Sequence, residues 1–390
     1  MFYLKSAAIL VMLCSVMACS GRFSSETIKP TPPHEDNLAV STTDYQAQPE
    51  YQLVKAVLLE SILPKHQDLE EKLNLLQQEM QRFCIDPTAH GLTSLQQVWL
   101  TAMQSWSALS VYNFGPIDDT NAAWRFQFWP DPLNYVHRKF KSRLNGYNTA
   151  ISQQELAQAS VAIQGLSGLE YLLFDPATQA PGFYSPFSAS CQILQATAAN
   201  LVKEGEQLNL AWQTRYRHAW LSPPSEAGPA EKHKRYLEDI INGMLSSLIL
   251  LKDKKLAAPL GIKQMSDLKK SERRIKPRYL ESWRSRSSLD QLKANVDTMK
   301  TLYLMPKGFS WYLNEAGVQL DLDAKIKQHF AALDQQLNVI ERSAYDLLEA
   351  NQLVQLEALY QAFSGLYQVL RIEYMQALDL HFRFNAHDGD

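Results

Sequence analysis

Apolar residues recur at three- and four-residue steps along most of the chain, which is the spacing of one face of an α-helix. Residues 54–83 and 356–378 show this period over the longest distances. Pro64 lies inside the first of these segments and is expected to break or kink that helix. Shorter stripes with the same period occupy residues 95–112, 155–174, 188–211, 234–251, 289–304 and 323–348. No stretch alternates with period two for long enough to predict a β-strand, so the pattern predicts an all-α protein.

The breaks between these stripes are rich in glycine, proline and serine. They lie at residues 113–120, 175–187, 221–230 and 305–310. Long helices separated by such turns pack as antiparallel bundles. Eight or so helices exceed a single four-helix bundle. We therefore predict two packed four-helix-bundle-like halves, residues 46–222 and 223–390, with the break near residues 221–232.

The composition fits a folded helical body. Of 390 residues, 46% are hydrophobic and 20% are charged, which supplies enough apolar surface for a core. The 15 glycines fall below the roughly 7% of an average protein and favour helices over a turn-rich β fold. The formal net charge of -3 argues against nucleic acid as the partner. Residues 269–286 are locally basic and form either an anion site or a solvated loop and helix face.

The N-terminal segment has the pattern of an export signal. A lysine precedes the apolar residues 7–13, which are too few to span a bilayer, and an alanine follows just before Cys19. This arrangement resembles the lipobox of bacterial lipoproteins, with Val16 at a position where leucine is more usual. The resemblance implies that residues 1–18 are a signal peptide and that Cys19 is lipidated. Ser20 then indicates the outer membrane, with the body facing the periplasm.

A polar segment separates this expected anchor from the first helical stripe. Residues 19–45 contain three prolines and predict a flexible tether. With Cys14 removed and Cys19 lipidated, Cys84 and Cys191 remain as thiols. The periplasm permits a disulfide between them, and the sequence leaves open whether they meet.

One short segment carries a resemblance to a known family. Gly165-Leu166-Ser167-Gly168-Leu169-Glu170, followed by Tyr-Leu-Leu-Phe, resembles the imelysin-like family, also called peptidase family M75, whose helix carries G-x-H-x-x-E before a similar apolar run. Further islands resemble the same family: Phe114-Gly115-Pro116, Phe128-Trp129-Pro130, Glu281-Ser282-Trp283 with Ser287 and Asn295, and residues 384–390. The sequence contains no H-E-x-x-H, G-x-S-x-G or phosphate-loop signature.

The chain departs from the family motif at its histidine, which Ser167 replaces. Residues 167 and 170 lie three positions apart and therefore share one helix face, which neighbouring apolar residues direct toward the core. A serine hydroxyl is a poor zinc ligand and is no general base without an activating partner. Three hypotheses remain for Glu170. It binds a metal with ligands from elsewhere, it is a hydrogen-bonded carboxylate in a binding cleft, or it is a structural carboxylate tied to a neighbouring helix.

Several residues are candidates for a ligand-binding cleft. Gly165 and Gly168 lower helix stability, so another backbone or a ligand is expected to approach them closely. Trp129 and Trp283 lie near predicted loops that would line the space between the two halves, a favoured place for ligands. The candidate cleft residues are Gly165, Ser167, Glu170, Trp129, Glu281 and Ser282.

Three functions are compatible with these observations. The resemblance implies a periplasm-facing lipoprotein that binds a ligand between its halves and works in iron uptake or iron-regulated envelope physiology. The alternative is a metallopeptidase with a bound metal ion, iron or zinc, although Ser167 argues against this activity. The third is a membrane-tethered scaffold for a partner protein. The expected partners are the membrane, through Cys19, and an unknown small ligand or envelope protein, with no nucleic acid.

Overall fold

The computed structural model describes residues 45–146, 151–180, 182–223, 229–269, 273–318 and 320–382. Helices joined by turns make up this part of the chain, and none of it forms a β-strand, which confirms the predicted all-α fold. The predicted signal peptide, Cys19, the tether up to residue 44 and the island at residues 384–390 lie outside the described residues. Within the described ranges, no helix is long and apolar enough to cross a bilayer.

The helices follow one another closely along the chain. The α-helices are α1 (Pro49–Val57), α2 (Leu63–Ile85), α3 (Ala89–Leu109), α4 (Pro116–Asp119), α5 (Ala122–Phe126), α6 (Tyr135–Gly146), α7 (Gln153–Ala157), α8 (Leu166–Phe174), α9 (Ala189–Ala211), α10 (Arg217–Leu221), α11 (Pro229–Ile249), α12 (Ser288–Leu304), α13 (Phe309–Glu315), α14 (Leu320–Asn338), α15 (Ala344–Glu349), α16 (Val354–Gln368) and α17 (Met375–Ala377). Short 3-10 turns lie at Tyr45–Ala47, Val161–Ile163, Pro176–Thr178, Met265–Lys269 and Pro277–Tyr279. Wider π-helical turns lie at Leu58–Ile62, Trp212–Tyr216, Leu250–Ala257 and Val369–Tyr374.

Of the break or kink expected at Pro64, the break is wrong, and the kink stays a prediction. The chain stays helical from α1 through the π-helical turn Leu58–Ile62 into α2, and Pro64 lies in the first turn of α2. A proline lacks the N–H that an α-helix would bond four residues back. The preceding turn has the wider π pattern, so the regular α-helical hydrogen bonds are already interrupted there. The N–H that Pro64 lacks is therefore missing at a place where it would not complete a regular α-helical bond.

Two hydrophobic clusters form the interior. The first contains apolar residues between positions 69 and 208, mainly from α2, α3, α8 and α9. The second contains mainly residues 53–63 and apolar residues of α11 to α17. Helix α3 packs against α2 and α8 of the first cluster and also against α12 of the second. Helix α3 therefore connects the two clusters, while the division of the chain near residue 222 stays a prediction.

A disulfide links the end of α2 to the start of α9. The Cα atoms of Cys84 and Cys191 are 5.6 Å apart, and the bond joins positions separated by 107 residues. Both cysteines are buried in the first cluster. The structure therefore pairs the two thiols whose pairing the sequence leaves open.

His66 of α2 is a buried titratable group in the interior. It packs beside Trp212, with 5.9 Å between ring centroids, and neither ring nitrogen has a hydrogen-bond partner among the described residues. Burial lowers the pKa of His66 to about 3 because a charged imidazolium would lose its hydration. The folded protein therefore keeps this histidine neutral at pH values where an unfolded chain protonates it.

This depressed pKa makes stability dependent on acid pH. The stability that neutral His66 contributes is fully present above about 6.5, the pKa of histidine in an unfolded chain. It is lost progressively as the pH falls from there toward 3. At pH 5 the expected loss is about 2 kcal/mol, since each pH unit in this window contributes about 1.4 kcal/mol. Urea unfolding at pH 7.5 and pH 5 measures it, with His66→Leu as the non-titrating control. Equal losses in the wild type and the variant would contradict the assignment to His66.

Candidate functional site

The glycines of the motif allow backbones to approach each other closely. Gly165 precedes α8, and a Cβ atom at this position would lie 2.4 Å from the carbonyl oxygens of Arg125 and Phe126. A Cβ at Gly168 would lie 3.1 Å from the backbone of Ile163. The close approach that the sequence predicts is thus made by backbone from α5 and from the turn before α8.

Glu170 of α8 is buried and is bound by a loop from a distant part of the chain. Its Oε1 atom accepts hydrogen bonds from the backbone N–H groups of Arg284 (3.0 Å) and Ser285 (2.9 Å) and from the Ser285 hydroxyl (3.0 Å). Ser167 is half-buried one turn earlier, and its hydroxyl bonds to none of the described residues. The acid of the motif therefore fixes the 281–287 loop against α8.

Arg284 completes this contact. Its side chain is 4% exposed. The guanidinium donates from Nε to Asp175 Oδ2 at 2.9 Å and from Nη2 to Asn134 Oδ1 at 2.6 Å, and it packs over the rings of Tyr171 and Trp283. Burial raises the pKa of Glu170, and the nearby Arg284 charge and the hydrogen bonds oppose this shift. The same loop thus supplies both a counter-charge and backbone donors to the buried carboxylate.

A cavity of about 220 Å³ lies beside this loop. The side chains that line it come from α3, the 113–130 segment, α11, the following π-helical turn and Glu281. Three indoles, those of Trp106, Trp124 and Trp129, form part of its wall. Because α3 joins the first hydrophobic cluster and α11 the second, the cavity lies between them.

A buried ion pair lies at the cavity. Lys255 and Glu281 are 4% and 2% exposed, and Lys255 Nζ is 2.6 Å from Glu281 Oε2, at an angle that is poor for a hydrogen bond. Glu281 Oε1 accepts from Gln127 Nε2 at 2.8 Å, and Gln127 Oε1 accepts from Trp106 Nε1 at 2.9 Å. Lys255 also donates to Asn295 Oδ1 at 3.0 Å. The pair is therefore held by polar side chains from the segment after α5 and from α12.

Three buried polar atoms around the cavity lack a hydrogen-bond partner among the described residues. They are Asn113 Oδ1, Trp129 Nε1 and Ser246 Oγ, whereas Glu281 Oε2 is paired with the Lys255 ammonium group. A buried polar atom without a partner is unfavourable, and such atoms are usually satisfied by protein, water or ligand. The set combines an N–H donor, a hydroxyl and an acceptor oxygen beside aromatic faces. This arrangement is suited to binding a small molecule.

The residues around Glu170 do not fit a metal ion. The described residues contain no group of three or more His, Cys, Asp or Glu side chains that could hold one. One Glu170 oxygen already accepts three hydrogen bonds, and the charge of Arg284, which acts on this carboxylate, is positive. A metal site needs several anionic or imidazole donors around one point. The groups around Glu170 are therefore hydrogen-bond donors and a cation, as expected for a structural carboxylate.

The structure separates the predicted cleft residues into two groups. Trp129 and Glu281 line the cavity, whereas Gly165, Ser167 and Glu170 lie at the contact of α8 with the 281–287 loop. Ser282 is buried in that loop with a φ of 48°, and its carbonyl accepts from the Ser285 hydroxyl. The role of all six residues in binding stays a prediction.

Sequence reasoning missed three residues that organise the site: Lys255, Gln127 and Arg284. Lys255 lies in a Lys-Asp-Lys-Lys run that is typical of a solvated face, and Gln127 has no motif of its own. Arg284 falls in the basic segment 269–286, for which the sequence predicts an anion site or a solvated loop. The side chain is in fact buried against Asp175, so neither alternative describes it.

The fold and the site define a two-cluster helical protein with a cavity between its clusters. The profile of the imelysin family, peptidase M75, matches residues 62–371, and the chain belongs to this family. It is 25% identical over 249 residues to the iron-regulated protein A of Synechococcus elongatus (strain ATCC 33912 / PCC 7942 / FACHB-805), a match that covers 63% of this chain and 61% of the relative. The chain therefore spans less than two thirds of that relative's length.

Two solved structures share the fold. An imelysin-like protein from Psychrobacter arcticum 273-4 is 19% identical, with a TM-score of 0.71, and the match covers 86% of this chain and 97% of that one. A putative iron-regulated protein A precursor from Parabacteroides distasonis ATCC 8503 is 16% identical, with a TM-score of 0.66, and the match covers 83% and 93%. At these identities the likeness establishes the helical architecture.

Proposed function

We propose that this chain is a binding protein of the bacterial envelope that works in iron uptake or iron-regulated envelope physiology, with its ligand in the cavity between the two hydrophobic clusters. The observation that carries the proposal is the set of unpartnered polar atoms around an aromatic cavity. The link to iron rests on the relatives in Synechococcus elongatus and Parabacteroides distasonis whose names describe them as iron-regulated. The place in the envelope rests on the lipobox-like residues before Cys19.

The cavity indicates the chemical class of the ligand. Its charged lining residues are Asp118 and Glu281 against Lys254 and Lys255, so their formal charges cancel. Its volume of about 220 Å³ is below the roughly 300 Å³ at which drug-sized pockets begin. The indole faces favour a ligand with a flat apolar surface, and the unpartnered polar atoms favour a ligand that carries both hydrogen-bond donors and acceptors. We therefore expect a small, neutral molecule with a flat face and several polar groups.

Hydrolysis of peptides is the less favoured function. A peptidase would need an activated nucleophile or a metal-bound water. At the motif the chain has Ser167 without a basic partner and Glu170 fixed by Arg284 and Ser285. These contacts support binding over hydrolysis, and no observation on the described residues favours a scaffold over either.

A comparison of two tryptophan variants tests the proposal. Protein isolated from iron-limited cells is extracted, and its bound small molecules are identified by mass spectrometry. We expect wild type to retain a neutral ligand and Trp129→Ala to contain at least tenfold less of that ligand per protein. Trp311→Ala should retain the wild-type amount, since Trp311 is half-buried outside the cavity. Circular dichroism verifies that both variants are folded.

Growth of a deletion strain tests the role in iron physiology. Under iron limitation the strain is expected to grow more slowly than its parent, with rescue by wild type and by Trp311→Ala but not by Trp129→Ala. Unchanged growth of the deletion strain would contradict the iron role. Stoichiometric zinc and peptide cleavage, both lost in Glu170→Ala, would establish the metallopeptidase instead.

A further inference from the structure

Helix α6 presents a strongly basic surface. Its residues 135–146 include four Lys or Arg and one His and contain no Asp or Glu. Arg138, Lys139 and Lys141 are exposed, and none of the three forms an ion pair with a described residue. Two exposed cations elsewhere, Arg286 and Lys325, are paired with carboxylates. The positive charge of α6 is therefore locally uncompensated in a chain whose net charge is -3.

The nearest acids along the chain leave these three cations unpaired. Asp131 caps the helix by accepting from the backbone N–H groups of Tyr135 (2.6 Å) and Val136 (3.0 Å). Glu155 accepts hydrogen bonds from the backbone and hydroxyl of Ser152, which, with a smaller effect of the Arg143 charge, lower the pKa of its carboxyl group. The cationic side chains in the middle of α6 are exposed to solvent, while Val136 and Phe140 pack into the first hydrophobic cluster.

An aromatic and aliphatic cluster continues this surface, and its members are exposed except for the half-buried Phe128. Trp124 and Phe128 are 5.9 Å apart between ring centroids, Phe128 and Tyr135 are 6.5 Å apart, and the Arg138 guanidinium lies 4.1 Å from the Tyr135 ring. Trp124 is 40%, Tyr135 41% and Leu133 61% exposed. We define the basic-aromatic surface by the residues Trp124, Phe128, Leu133, Tyr135, Arg138, Lys139 and Lys141.

We propose that the basic-aromatic surface binds the headgroup region of a bilayer that contains anionic phospholipid. Long cationic side chains are attracted to an anionic leaflet without needing a partner of fixed geometry. Exposed Trp and Tyr are amphipathic and prefer the boundary between headgroups and acyl chains, where exposed leucine also gains by burial. An acidic protein could also cover the rings, but it would need carboxylates at fixed positions opposite each cation, whereas an anionic leaflet supplies diffuse negative charge.

The proposal has a geometric consequence for the cavity. Trp124 belongs both to the basic-aromatic surface and to the cavity lining. Contact with a bilayer therefore places one wall of the cavity beside the lipid headgroups. This orientation is independent of whether Cys19 carries a lipid and of which ligand the cavity takes.

Vesicle binding tests the proposal on the full chain with Cys19→Ser, which cannot be lipidated. The probes are vesicles of phosphatidylcholine alone and of phosphatidylcholine mixed with phosphatidylglycerol. We expect the protein to bind the mixed vesicles more tightly, and added salt to weaken this binding. Lys139→Gln/Lys141→Gln is expected to lower the affinity by tenfold or more, because each cation near an anionic leaflet contributes about fivefold. Lys203→Gln/Lys293→Gln removes the same charge from exposed positions on α9 and α12 and should leave the affinity unchanged.

Fluorescence supplies a second readout that locates the contact. Brominated phosphatidylglycerol is expected to quench part of the tryptophan emission, and Trp124→Phe should abolish that part. Equal binding to both vesicle types, equal losses in the two double variants, or undiminished quenching in Trp124→Phe would overturn the proposal. Tighter binding to poly-glutamate than to the mixed vesicles would overturn it in favour of an acidic protein partner.

Discussion

Replacement of Glu170 by alanine is expected to lower the free energy of unfolding by about 3–5 kcal/mol. The variant removes the acceptor of two backbone N–H groups, those of Arg284 and Ser285, and the carboxylate that faces the buried Arg284 charge. A buried donor without a partner costs about 1–3 kcal/mol, and two such donors remain. Urea unfolding followed by circular dichroism measures the change.

Glu170→Gln is the matched variant for this prediction. The amide keeps the shape and one acceptor oxygen for the loop but loses the negative charge beside Arg284, so we expect a smaller loss of about 1–3 kcal/mol. The difference between the two variants separates the hydrogen bonds from the charge. Two losses within measurement error of zero would show that Glu170 does not anchor the 281–287 loop.

Removal of the disulfide in Cys84→Ser/Cys191→Ser is expected to lower the free energy of unfolding by about 2–5 kcal/mol. The bond closes a loop of 107 residues between α2 and α9, and a long loop restricts the unfolded chain strongly. Loss of the bond also puts two hydroxyls into the first hydrophobic cluster, where both cysteines are buried. Denaturant unfolding of oxidised wild type and of the double variant measures the effect.

A reducing agent provides the control for the disulfide prediction. Dithiothreitol should lower the midpoint of wild-type unfolding toward that of the double variant and leave the double variant unchanged. A wild-type midpoint that does not respond to reduction after unfolding and refolding would contradict a stabilising bond at this position.

The residues of the motif show how far sequence reasoning reaches into the site. The i, i+3 spacing places residues 167 and 170 on one helix face, and flanking apolar residues imply that this face is buried, as it is for Glu170. The partners of the carboxylate lie 114 and 115 residues further along the chain. Nothing in local periodicity specifies that pairing, because it depends on how α8 meets a loop of irregular backbone.

Lys255 shows a second limit, which concerns the partner of a buried charge. It lies seven residues after Leu248 and four after Leu251, both buried, so the helical period continued from α11 places it on the core-facing stripe. The polar residues of the Lys-Asp-Lys-Lys run instead suggest a solvated face. Neither signal identifies Glu281, which pairs with Lys255 from the 281–287 loop.

The apolar pattern along the chain was sufficient to predict the all-α class and the positions of most helices, because helical periodicity is a local property. The family followed from the motif residues. The need for glycine at position 165 is tertiary, since a Cβ there would meet the carbonyl oxygens of Arg125 and Phe126 in α5. Tertiary structure decided which charges are buried together, since Arg284 with Asp175 and Lys255 with Glu281 come from distant segments. It also decided that Cys84 meets Cys191. A cavity exists only where separate helices leave space between their packed faces, so its position required the three-dimensional arrangement of the chain.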